Sequence, residues 1–155
     1  MNYEDLLEEA RIDGIRVYEN YRFRSPRIKG LYCDGSVALS NVLHTSAERC
    51  SVLAEELGHH YTAVGDITDM KSVSSRKLER LGRIYAYNKL IGLTGIVDAC
   101  EHRCQSRHEM AEHLEVTEEF LVEALSYYRE KYGWQVRYEN YVIYFEPCLA
   151  VMKKI

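Results

Sequence analysis

The run Glu55-Glu56-Leu57-Gly58-His59-His60 gathers carboxylates and imidazoles into a short stretch. On a helix, residues three and four apart share a face, so Val52, Glu55, Glu56, His59 and Ala63 form one stripe. Glu55 and His59, four apart, can offer two ligands to one metal ion, and Glu56 beside them can serve as a base. Solvated charge or an i,i+4 ion pair explains such residues equally well when they are taken alone. Two details favour a built site. Apolar Val52 and Ala63 border the stripe, and Gly58 sits mid-helix at a cost of about 1 kcal/mol relative to Ala, which calls for close packing against it. Glu79 shares a face with the small residues Gly82 and Ala86 and with Leu90, so another helix can approach there. A carboxylate buried on that face needs compensation, by a metal or by Arg83 at i+4. The register Glu56 with His60 is a second i,i+4 pair, but His60 points about 100° away from His59.

These side chains need elements to hold them. Helical spacing runs from Tyr3 to Ala10, and Asp13-Gly14 leads into a short strand, Ile15 to Tyr18. Ile28 to Cys33 and Ser36 to Leu39 flank Asp34-Gly35, a dipeptide suited to a tight hairpin turn. Thr45 and Glu48 have capping-box spacing and open a helix that reaches about Ala63. Ser74 and Ser75 introduce the next helix, through Leu90, and Thr94 to Arg103 reads as a third. Thr117, followed by Glu118 and Glu119, is an N-cap, and Tyr132-Gly133 a helix stop. Trp134 to Phe145 reads as two strands broken by Glu139-Asn140 and ending at Pro147.

The chain has 155 residues, a net charge of −4 and 46% hydrophobic residues. That length supports one core without staples, and the composition excludes a disordered chain. The acidic balance argues against bulk electrostatic binding to nucleic acid or anionic membranes. No apolar run is long enough to span a bilayer, and the acidic start, Met1 to Arg11, is unlike a basic leader, so a cytoplasmic protein is expected. The five cysteines, scattered and odd in number, suit reduced thiols.

The stretch Cys50 to Tyr61 resembles the active-site helix of the ImmA/IrrE family of metallopeptidases, found in bacterial prophages and integrative elements. The likeness extends to Asp34 to Leu39, to Glu79-x-x-Gly-x-x-Tyr-Ala-x-x-x-Leu-Ile, and to the Tyr-rich C-terminal strands with Phe145-Glu146-Pro147. The resemblance implies zinc held by His59 and Glu79, with Glu56 as the catalytic carboxylate. Glu55 stands where the HExxH motif has its first histidine. Two anionic ligands neutralise a dication, whereas a two-histidine, one-glutamate site stays at +1, so bound water is less acidified and manganese becomes an alternative ion. His60 and His44 are expected beside the site without ligating. In the implied mechanism Glu56 takes a proton from the attacking water and delivers it to the leaving amine.

The resulting expectation is one α+β domain over residues 1–155. A small antiparallel N-terminal sheet and a zincin-like pair of active-site helices make a metal-site core at 1–92. Residues 93–155 form a helical subregion with a closing β-hairpin. The implied activity is a metal-dependent endopeptidase acting on a repressor-type transcription factor of a prophage or mobile element, with no nucleic-acid or membrane partner. A catalytically weak or inactive relative that binds such a regulator is the alternative, because of Glu55.

A second alternative is a helix-turn-helix DNA-binding protein. Glu109 to Thr117 followed by Phe120, Leu121 and Leu125 has that pattern, with Ala111 at the close-packed position. Its would-be recognition helix carries Glu118, Glu119 and Glu123, where phosphates would be met. His108 and His113 are five apart and lie on different helix faces. Cys100, Cys104 and His108 spread over about 12 Å, too far to close on one ion. The 13 tyrosines suit a peptide-binding face as well as an ordinary sheet.

Overall fold

The computed structural model describes residues 1–63 and 73–154. Helix α1, Tyr3–Ile12, is closed at its start by a reciprocal pair: Asp5 N–H donates to the Asn2 side chain and Asn2 N–H to the Asp5 carboxylate. It buries Tyr3, Leu6 and Ala10, the face its spacing foretells. Strands β1 (Arg16–Tyr21), β2 (Gly30–Cys33) and β3 (Ser36–Ser40) make a sheet in the order β1-β3-β2. The β2–β3 hairpin is antiparallel, as expected, and turns at Asp34 (φ 48°) and Gly35 (φ 79°), the two positive φ values a tight hairpin turn requires. β1 joins the other side of β3 in the parallel sense, pairing Arg16 with Ser36 and Tyr18 with Ala38. β2 is left at the sheet edge, against the next helix.

Helix α2, Ser46–Ala63, starts where Thr45 Oγ1 accepts from Glu48 N–H at 3.1 Å. The Glu48 carboxylate reaches the His44 amide at 3.2 Å, so the box closes one residue upstream of the capping residue. α3, Val73–Leu90, makes its largest interface with α2. Lys89 of α3 pairs with Glu9 of α1 at 2.8 Å. α4, Gly92–Glu101, buries Gly95, Ile96, Val97 and Ala99.

α5, Arg107–Leu114, is capped by Ser106 and ends at Glu115 in the left-handed region. α6, Glu118–Tyr132, is capped by Thr117, whose hydroxyl accepts from Phe120 N–H, and stops at Gly133 (φ 81°). The α5–α6 hairpin buries Ala111, Leu114, Val116, Phe120 and Leu121, so the helix-turn-helix pattern describes a real packing geometry. Strands β4 (Gln135–Tyr138), β5 (Tyr141–Tyr144) and β6 (Ala150–Lys153) form an antiparallel sheet in sequence order. The first two are the expected closing hairpin; β6 lies beyond Pro147, where the sequence reading stopped. One hydrophobic cluster runs from Leu6 through Leu39, Leu53, Leu57 and Ala86 to Tyr128 and Ile143. Among the described residues no helix is long and apolar enough to cross a membrane.

Candidate metal centre

Gly58 and Gly82 bring α2 and α3 together. A Cβ on Gly58 would stand 2.6 Å from the Gly82 carbonyl oxygen, so α3 packs on bare backbone at the position whose cost the sequence had left unexplained. A Cβ on Gly82 would meet the His59 ring at 2.8 Å and 2.9 Å. The imidazole therefore lies in space that only glycine leaves open. One turn before Gly82, Glu79 points back to it: His59 Nε2 and Glu79 Oε1 are 3.5 Å apart. Among the described residues the ion-pair partner of Glu79 is His59, not Arg83. The i+4 alternative open at the sequence level is not formed, and Arg83 lies instead where its charge acts on Glu55.

Burial pushes the Glu55 carboxyl up from 4.5 to about 7; Arg83 opposes the rise, while Glu123 and Glu79 add to it. Glu56 is likewise raised to about 7, first by burial and then by the charges of Glu55 and Glu79. The Tyr32 amide of β2 donates to the Glu56 carboxylate and partly offsets this. The outward-facing edge of β2 supplies that donor because Tyr32 pairs with Val37 one step from the hydrogen-bonded pair beside the turn. Gly30 makes room for the contact: a Cβ there would be 2.6 Å from Val52 and 3.1 Å from Glu56 Cγ.

His60 turns the other way, as its 100° offset dictates, and its Nδ1 lies 2.8 Å from the Tyr32 hydroxyl. The same hydroxyl accepts from Gly35 N–H at 3.2 Å. His60 thus ties the hairpin to α2, and Tyr32, which the sequence reading passed over, serves both Glu56 and His60. Only a strand-to-helix contact could have identified it. His44 is exposed, at the mouth of α2, where its amide meets Glu48. Beside Glu79 an open cleft of ≈ 730 Å³ runs between α3 and α6, lined by Arg76, Arg80, Arg83, Tyr87, Glu123 and Glu130.

The donor set suits a dication: one imidazole seated against backbone, the half-buried carboxyl of Glu55 whose ionisation burial opposes, and the more exposed carboxylate of Glu79. Glu55, His59 and Glu79 do not all bring ligand atoms within 4.8 Å of one another. Among the described residues one trio does, namely Asp98, His102 and His113 at the α4–α5 joint. The sequence reading missed it, although Asp98 and His102 have the same four-residue spacing as Glu55 and His59. A family model described as the IrrE N-terminal-like domain, a peptidase family, matches residues 18–126, a span that holds the hairpin, α2 and α3. No curated protein matches the chain.

Proposed function

The chain belongs to the family of IrrE N-terminal-like metal-dependent peptidases, and from that premise we propose an endopeptidase in which Glu55, His59 and Glu79 hold zinc and Glu56 is the catalytic carboxylate. The observation that carries this reading is the 3.5 Å pairing of His59 with Glu79 beside two carboxyls raised to about 7. When bound, the ion supplies Lewis acidity toward a scissile carbonyl and toward water. Glu56, oriented by the Tyr32 amide, takes up a proton near neutral pH and returns it to the leaving amine. Manganese is the alternative ion, because the two-carboxylate set is harder than a two-histidine one.

The substrate proposed is a repressor-type transcription factor of a prophage or mobile element, engaged as a protein, without nucleic acid or membrane. What supports it is the resemblance carried by Cys50 to Tyr61 and Glu79 to Ile91. The cleft along α3 and α6, with arginines and glutamates on its walls, fits a polypeptide better than a nucleic-acid backbone. The free state of all five cysteines fits the reducing cytoplasm. A second reading, a weak or inactive relative that binds the regulator, is favoured by Glu55 itself and by the wide spacing of the three donors.

The test is elemental analysis of chelator-free protein beside a peptide-library cleavage assay read by mass spectrometry. Zinc retained in Glu56→Gln but lost from the α2–α3 site in His59→Ala and Glu79→Ala, with cleavage abolished in all three, supports the peptidase. Zinc binding without cleavage in the parent chain selects the binding-only reading. Zinc and manganese content that neither His59→Ala nor Glu79→Ala changes sinks the site.

A further inference from the structure

We infer a second metal site, separate from α2 and α3, in which Asp98, His102 and His113 hold a divalent first-row transition ion at the joint of α4 and α5. Asp98 lies in the last turn of α4 and His102 is that helix's C-terminal cap. The chain reverses through Arg103 (φ 60°), and α5 returns His113, in its own last turn, to the same place. His113 Nε2 is 2.8 Å from Asp98 Oδ2, and His102 Nδ1 is 3.4 Å from Asp98 Oδ1. The two imidazole centroids are 4.5 Å apart, and one donor atom from each residue falls within 4.8 Å of the others.

Tetrahedral coordination with bonds near 2.0–2.1 Å spaces ligand atoms about 3.3 Å apart, so seating an ion asks only for small side-chain adjustments. Two further features point the same way. His102 Nδ1 also lies 2.8 Å from the Asp98 carbonyl oxygen, a contact that holds the ring's orientation against the end of α4. The C-terminal ends of both α4 and α5 meet here, and the negative ends of their dipoles favour a cation. An ion pair alone serves the arrangement poorly, since two adjacent imidazoles share one carboxylate and repel if both are charged. A dication engages both as neutral donors. Two nitrogens and one carboxylate oxygen suit zinc, cobalt or nickel rather than calcium or magnesium. With Asp98 52% and His102 60% exposed, water completes the coordination and the ion exchanges with solvent.

The full-length chain, stripped of metal, is titrated with Zn²⁺ and with Co²⁺, the latter followed by its visible absorption. The variants are His59→Ala, His113→Ala, Asp98→Asn and the double variant His59→Ala/His113→Ala. The expected result is one Zn²⁺ retained in His59→Ala and removed by adding His113→Ala, with Asp98→Asn weakening that ion at least about tenfold. Asp98→Asn retains the side-chain shape, so its effect does not depend on refolding. Equal zinc content in His59→Ala and in the double variant, with circular dichroism unchanged, overturns this site. Failure of the α2–α3 site shows separately, as unchanged zinc content on His59→Ala in the His113→Ala background.

Discussion

Glu55 and Glu56 are where the fold and its chemistry conflict. Both carboxyls are raised from 4.5 to about 7, chiefly by burial, so the metal-free fold favours their protonated forms. A raised native pKa adds stability that is fully present below the unfolded value near 4.5 and is lost as pH climbs through about 7. At 1.36 kcal/mol per pKa unit, each carboxyl taken alone accounts for roughly 3 kcal/mol. Urea unfolding in chelator at pH 5 and pH 8 should therefore show a loss on raising pH that is smaller by a few kcal/mol in Glu55→Gln/Glu56→Gln. An identical pH response in parent and variant would remove this account. Zinc should reverse the trend in the parent, because it binds the ionised form. For catalysis, Glu56→Gln should cut turnover by about 10²–10⁴-fold while leaving zinc content intact, measured by initial rates on a cleaved peptide.

Two contacts between elements set the geometry of the site. At the α2–α3 crossing, Gly58→Ala places a methyl 2.6 Å from the Gly82 carbonyl oxygen, which is backbone and cannot swing aside. Alanine's advantage of about 1 kcal/mol in helix propensity should be outweighed, for a net loss of about 1–3 kcal/mol in thermal unfolding. Gly82→Ala should instead act on the His59 ring, lowering zinc affinity more than stability; equal effects from both variants would contradict that division. At the β2–α2 contact, Tyr32→Phe removes the hydroxyl that serves His60 Nδ1 and Gly35 N–H. A loss of about 1–3 kcal/mol in urea unfolding is expected, with the Glu56 amide partner retained, since that donor is backbone.

On the scale of the whole molecule, a net charge of −4 and the acidic first turn of α6 make the α5–α6 hairpin a poor DNA reader despite its packing. Fluorescence anisotropy at physiological salt should show no duplex binding; submicromolar, steeply salt-dependent binding would revive the DNA-binding reading. Local pattern alone sufficed for α1, the Asp34-Gly35 hairpin, α2, α3 and the Thr117 cap, because period, caps and turn residues act within a few positions. It also sufficed to bring Glu55, Glu56 and His59 onto one stretch of α2 and to mark Gly58 as a close contact. Which residue met Gly58, and that Glu79 turned to His59 rather than Arg83, depended on how α3 crosses α2. Tertiary structure likewise decided the parallel seat of β1, the added strand β6, the double duty of Tyr32, and the meeting of His113 with Asp98 and His102. Each of these joins residues far apart in the chain or separated by a turn. No periodicity records such a pairing, since the energy that selects it comes from burying both partners at once.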